Sequence, residues 1–263
     1  MKTYNALSKS FTDEVKTIMG EGKTIDDAFE DVKTAIIDYN FGEPTPTPKP
    51  IDINKLTQGD GQQDGYYYVD LGLSVKWATC NVGSVLASDE GKLFQFGRVD
   101  GYRYNDSNNQ FRTNAQNKQD TGNEYIPKTA SGKTYNVGET LQPADDAANV
   151  NMGGAWKMPT KDQLKELYGN TTYDVVTVNG VQGMLFTSTK PGYEGKQLFI
   201  PFAGYWSDAS FTAAGSYAYV WSSQVFPSNV NNAYLLYCIS SGYANIDNFS
   251  RSYAFSVRGV FQV

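Results

Sequence analysis

Between Phe211 and Ser250 the chain carries one charged residue, Asp247, in a stretch otherwise filled by Tyr, Ser, Asn and small residues. An ordinary exposed surface holds Lys and Glu at far higher density. Tyr set among Ser, Gly and Asn offers rigid amphipathic rings for contact area and small polar groups for adaptable hydrogen bonds, the chemistry of antibody-like binding loops. A Tyr-rich β-sheet core has the same composition, because aromatic residues also favour strands. Covalent chemistry is poorly supplied. The 263-residue chain has no histidine, which removes Ser-His and Cys-His pairs, His general bases and His-containing metal sites. No paired carboxylates stand in a motif, so the chain reads as not an enzyme, with no cofactor expected.

Cys80 and Cys238 are far apart in sequence, and two cysteines alone cannot make a zinc site. A disulfide, two free thiols or one variable cysteine all remain open. The net charge of −6 and a pI near 4.8 argue against nucleic acid, whose binding surfaces are basic. No run of about 18 apolar residues occurs, so no membrane insertion is expected. The opening MKTYNALSKSFTDEV has no apolar signal region, so the protein is expected to be made without a secretion signal. Work outside a cell would then need a vehicle, and a virion is one.

The elements that must position the Tyr-rich stretch follow from periodicity. Tyr4, Leu7, Phe11, Val15 and Ile18 recur at helical spacing, and after Gly20 and Gly22 a second stripe of Ile25, Phe29, Val32 and Ile36 follows. Residues 1–42 are therefore expected to form a helical hairpin for attachment or oligomerisation. Alternating prolines from Pro44 to Pro50 favour an extended rod, giving a linker and lead-in over 43–64. From 65 the character is β: strand-like runs cover 66–70, 71–80, 91–98, 198–201, 220–223, 233–239 and 254–260. Residues 101–140 lack periodicity and read as an insertion. Short helices are expected from Asp145 and, with Thr160 and Gln163 as a capping box, from Lys161. Asn179-Gly180 signals a hairpin within 175–186.

Several phrases recur in order: YVDLGLSVKWAT at 68–79, Phe96-Gly97, DDAA at 145–148, GGAWKMPT at 153–160, PFAGY at 201–205, Trp221-Ser-Ser223 and FSVR at 255–258. Together they resemble the C-type lectin-like domains of gut Bacteroidetes and their phages, relatives of the formylglycine-generating-enzyme branch of that fold. Over about residues 65–260, three quarters of the chain, the sequence is similar to the variable proteins of diversity-generating retroelements, including phage receptor-binding proteins. The resemblance implies an α+β fold with a small antiparallel sheet and long loops, and a C-terminal segment whose ligand-facing residues are replaced while the scaffold stays fixed. Two departures matter. The enzyme branch has a pair of active-site cysteines near the C-terminus, where this chain has only Cys238. The calcium-dependent sugar motif of C-type lectins is also missing, and Asp145, Asp146 and Asp247 read more simply as helix cap and surface loop.

Alternation along 233–239 puts Tyr234, Leu236 and Cys238 on one face and Leu235, Tyr237 and Ile239 on the other. The resemblance assigns the first face to scaffold, leaving the second for the ligand. Tyr217 and Tyr219 share a face upstream, although Tyr219 and Tyr234 also suit a core. Phe226, Ser228, Val230 and Asn231 in the intervening loop join the expected binding set. Tyr243, Asn245, Asp247, Phe249, Ser252 and Tyr253 are expected on a loop before the FSVR phrase. The resulting expectation is a phage-tail receptor-binding protein engaging a host-surface protein or glycan. Its N-terminal helices would bind a tail component or self-associate. The alternative is a Bacteroidetes surface adhesin or pilus-associated protein on the same fold.

Overall fold

The helical hairpin expected over 1–42 and the proline rod at 43–50 lie outside the described residues. The computed structural model describes residues 51–103, 111–208 and 210–262. A boundary after Pro50 divides the chain into two units, and the described residues belong to the second. This unit is mixed α+β, mostly sheet with few helices.

Residues 51–64, read as a lead-in, form structure of their own. Helix α1 (Ile53–Gln58) starts at Asp52, whose carboxylate accepts from the backbone N–H of Asn54 and Lys55, and it buries Leu56. Strand β1 (Gly61–Gln63) pairs with β2 (Tyr66–Val69), and β2 with β3 (Lys76–Asn81). The last strand, β14 (Arg258–Phe261), returns to pair with β3 and completes a four-stranded sheet. Strands β5 (Thr171–Val178), β6 (Val181–Ser188) and β7 (Gln197–Pro201) make a separate antiparallel sheet. Its first turn is the expected Asn179-Gly180 pair, with φ of 54° and 80°. Positive φ at both positions gives the twist a two-residue hairpin needs.

The largest sheet runs in the order β12 (Tyr243–Ser250), β11 (Asn232–Ile239), β10 (Tyr217–Val225), β13 (Ala254–Ser256), β8 (Tyr205–Ser207) and β9 (Ser210–Thr212). Strand β4 (Leu93–Gln95) also pairs with β13. Strands β10 and β11 are buried on both sides, which explains their near-continuous apolar runs. On one side Ala218, Val220, Leu236 and Cys238 join Trp77, Phe186, Ile200 and the Leu164 and Leu167 of helix α4 (Lys161–Gly169). On the other, Tyr219, Trp221 and Leu235 join Phe94, Phe96, Trp156 and Phe255. The Thr160–Gln163 capping box that starts α4 is formed as its sequence specifies.

Three expectations change. In place of a small antiparallel sheet the largest sheet has seven strands and is mixed, because β13 runs parallel to β10. The run 254–260 is two strands, because the chain leaves one sheet at Ser256 and enters another at Arg258. Arg258 is fully buried at this crossover. It donates to Asn81 Oδ1 at 3.0 Å and to the carbonyls of Ala78 at 3.1 Å and Phe199 at 3.0 Å. Three segments are thereby joined by one guanidinium. The polar stretch 101–140 contains helix α2 (Asn114–Thr121), with a capping box at Thr113 and Gln116 and a left-handed Gly122 at its end. Its caps were legible in the sequence, but a helix without an apolar stripe gives no periodic signal.

Candidate ligand-binding face

The site is built by the register of β10, β11 and β12. Across these strands Tyr217 faces Ile239, which faces Tyr243; Tyr219 faces Tyr237, which faces Asn245; Trp221 faces Leu235, which faces Asp247. Partners directly opposite share a face of the sheet, so every residue in these rows lies on one side. Burial is graded along the second row and beyond it. Tyr219 keeps 9 % of its surface, Tyr237 is half-buried, and Tyr243 on the edge strand keeps 48 %.

The rings form a continuous array. Tyr217 stacks on Tyr219 at 6.0 Å and on Tyr237 at 6.0 Å, and Tyr219 stacks on Tyr237 at 5.2 Å. Beneath them Tyr219 lies on Phe255 at 4.6 Å, and Phe255 meets Trp221 at 4.5 Å. Trp221 is held by its Nε1–H, which donates to the Phe94 carbonyl at 2.8 Å. Phe249 meets Tyr253 edge-on at 4.9 Å and Tyr243 meets Tyr237 at 6.3 Å. Each such pair contributes about 0.5–1.5 kcal/mol beyond its area burial. The outer rings therefore rest on a fixed floor of inner ones.

Burial, followed by the neighbouring tyrosines, pushes the hydroxyls of Tyr219 and Tyr237 above the ordinary tyrosine value, and burial does the same to Tyr205. These hydroxyls stay neutral at physiological pH and both donate and accept. Asp247 turns its Oδ1 to the N–H of Asn248 at 2.7 Å. Asn245 donates to the Tyr243 hydroxyl at 3.0 Å. Such a face can stack on a ligand and hydrogen-bond to it.

The expected binding residues divide on this geometry. Tyr217, Tyr219, Tyr237, Ile239, Tyr243, Asn245, Asp247, Phe249 and Tyr253 come together on or beside the face. Ser228 is exposed at the end of the β10–β11 hairpin. Val230 packs against the same aromatic cluster, and Asn231 accepts from Asn123 Nδ2 at 2.9 Å. Three assignments are corrected. Leu235 points to the right side of the sheet but has no exposed surface, because Trp221 and Phe255 cover that row. Ser252 is buried in the turn after β12, with its hydroxyl 2.9 Å from that of Ser250 and its carbonyl accepting from Gln95 at 2.7 Å. Phe226 meets Tyr234, a residue of the opposite face, at 5.1 Å. The loop expected over 243–253 is also corrected, since Tyr243–Ser250 is a strand paired with β11 along its whole length. Its Asn and Asp content hides this, because β propensity yields to pairing with a formed neighbour.

Tyr205 is a face residue that sequence reasoning missed. It meets Tyr219 at 5.4 Å and Tyr253 at 5.8 Å from strand β8, which reaches the array through β13. The PFAGY phrase marks it as scaffold, and no local spacing links it to the C-terminal segment.

The two cysteines are buried and free. Asp145 accepts from Ser131 and from the Tyr135 hydroxyl at 2.7 Å, and Asp146 caps helix α3 (Ala147–Met152). Among the described residues no three His, Cys, Asp or Glu side chains gather to hold a metal ion. No helix among them is long and apolar enough to cross a membrane.

Fold and face together define a β-rich α+β domain with a graded aromatic surface on three adjacent strands. Comparison with protein-family models, with curated proteins and with solved structures returned no match.

Proposed function

We propose that this chain is a non-enzymatic binding protein whose C-terminal strands present a replaceable ligand-contacting surface. It would be a C-type lectin-like variable protein of a diversity-generating retroelement, carried on a phage tail and engaging a host-surface protein or glycan. The observation that carries the reading is the aromatic array on β10, β11 and β12. Its inner rings are locked on Phe255 and Trp221, while Tyr237, Tyr243 and Asn245 lie outward in a nearly uncharged segment. Binding anchors tend to be Tyr or Trp set on a rigid support. Support for the fold assignment comes from mostly antiparallel strand pairing and a few short helices. Several copies on one particle would raise a weak single-site affinity.

The test is binding of the labelled full chain to a panel of gut Bacteroidetes cells. On any cell it marks, Tyr237→Ala combined with Tyr243→Ala should lower binding at least tenfold, with circular dichroism unchanged. Undiminished binding by that variant removes the site. A near-identical copy of the last codons that differs only at adenines, beside a reverse transcriptase gene, would support diversification. Tail genes nearby favour the phage reading over a surface adhesin.

A further inference from the structure

Arg251 follows β12 in the turn that leads to β13, and it has no exposed surface. Its backbone N–H donates to the Asn231 carbonyl at 2.8 Å and its Nη1 to the Val230 carbonyl at 3.2 Å. The guanidinium lies 5.0 Å from the centre of the Phe96 ring. Among the described residues its Nε and Nη2 have no hydrogen-bond partner. Burial lowers its pKa to about 10, which leaves it cationic at neutral pH. A guanidinium has five N–H donors, and an unpaired buried charge costs several kcal/mol. One carbonyl and one ring do not complete this one.

Arg251 forms part of the wall of a cavity of about 320 Å³, together with Asp120, Thr121, Asn123, Lys128 and Lys133. That volume lies at the lower end of small-ligand sites. The one carboxylate in this set, on Asp120, is already paired with Arg112. Lys128 is exposed, and Lys133 lies over the Tyr135 ring at 4.4 Å with its ammonium 3.8 Å from Glu139 Oε2. The cavity therefore has an exposed lysine, a second lysine paired with Glu139 and a buried, incompletely partnered arginine, against an acid already paired with Arg112.

We propose that this cavity is a binding site for a single carboxylate group on a small ligand of about monosaccharide size. The two unpartnered nitrogens decide the class. Nε–H and one N–H of Nη2 lie parallel along one edge of the guanidinium, and a planar carboxylate takes such an edge with two parallel hydrogen bonds. Lys128 supplies attraction at long range, and Lys133 adds a smaller share because Glu139 offsets its charge. Both guanidinium nitrogens are closed from solvent in the free chain, so the ligand engages them as the wall gives. The wall over 122–134 consists of turns and irregular backbone. The site is separate from the aromatic face and does not rest on its function. The two touch through the β10–β11 hairpin, since Val230 accepts from Arg251 and Asn231 from Asn123.

The test follows the Arg251 Nε–H resonance of the ¹⁵N-labelled full chain by NMR while D-glucuronate is added, with N-acetyl-L-glutamate α-amide, D-glucose and sulfate titrated in parallel. A saturable shift with glucuronate alone identifies a sugar acid as the source. One with the glutamate derivative alone identifies an acidic side chain, and either supports the carboxylate site. Lys128→Ala with Lys133→Ala should weaken the response severalfold without changing the fold. Arg251→Lys, which has no such resonance, is read by titration calorimetry with the carboxylate that shifts the wild type and should bind it at least tenfold more weakly; if that variant does not fold, the wild-type Nε–H shift still decides. No saturable shift at tens of millimolar, or equal shifts with glucose or sulfate, overturns the proposal.

Discussion

Leu235 and Tyr243 lie on the same side of the same sheet, one strand apart, and their replacement by alanine should have very different costs. Leu235 is fully buried within the cluster that holds Trp221 and Phe255. Those rings cannot close the gap easily: Trp221 is tied to the Phe94 carbonyl and Phe255 is stacked on Tyr219. Leu235→Ala should therefore fall in the upper part of the usual range for a buried leucine, about 3–5 kcal/mol. Tyr243 keeps 48 % of its surface, meets Tyr237 edge-on at 6.3 Å and accepts an exposed hydrogen bond from Asn245 at 3.0 Å. Tyr243→Ala forfeits that pair and a partial burial, about 1 kcal/mol. Urea unfolding of both variants measures the difference, with an unchanged m value showing that stability alone has moved. The division of this segment into floor and contact surface is refuted if Leu235→Ala costs less than about 1 kcal/mol, or if Tyr243→Ala costs as much as Leu235→Ala.

Arg258→Lys should destabilise the domain by about 3 kcal/mol, because an ammonium cannot reach Asn81, Ala78 and Phe199 together as the guanidinium does; thermal denaturation reads this directly. Burial raises the hydroxyls of Tyr102 and Tyr135 to about 12, against about 10 in an unfolded chain. Between those values the folded chain holds more protons, so the stability they contribute is complete below about pH 10 and is lost as pH rises through 12. Urea midpoints measured across that range should fall, and a flat or rising midpoint contradicts the assignment. Cys80 and Cys238 are buried, and burial raises both thiols; a thiol-specific disulfide reagent should label neither until denaturant unfolds the chain. Thr160→Ala should cost about 1 kcal/mol through loss of the α4 cap, measured by the same unfolding curves.

Much of the local structure could be read from residue types. The Thr160–Gln163 box, the Asn179-Gly180 turn and the alternation along 233–239 depend on near neighbours, and local sterics and hydrogen bonding suffice to specify them. Alternation also separated Tyr237 from Cys238 correctly, since a strand sends successive side chains to opposite faces. It could not separate Tyr237 from Leu235. Both point the same way, and only the packing of Trp221 and Phe255 over one row makes Leu235 floor and leaves Tyr237 half-buried. Likewise the polar residues from Tyr243 to Ser250 become a strand because β11 is there to pair with.

Composition alone determined that this chain lacks histidine chemistry, is acidic, and concentrates neutral tyrosines in its C-terminal fifth. Which tyrosines are floor and which are surface was decided by tertiary structure. So was the arrival of Tyr205 from another strand, and the enclosure of Arg251 beside a cavity wall supplied by residues 120–134. The reason is physical: facing direction follows from the period of a single strand, whereas exposure depends on what distant segments place above it.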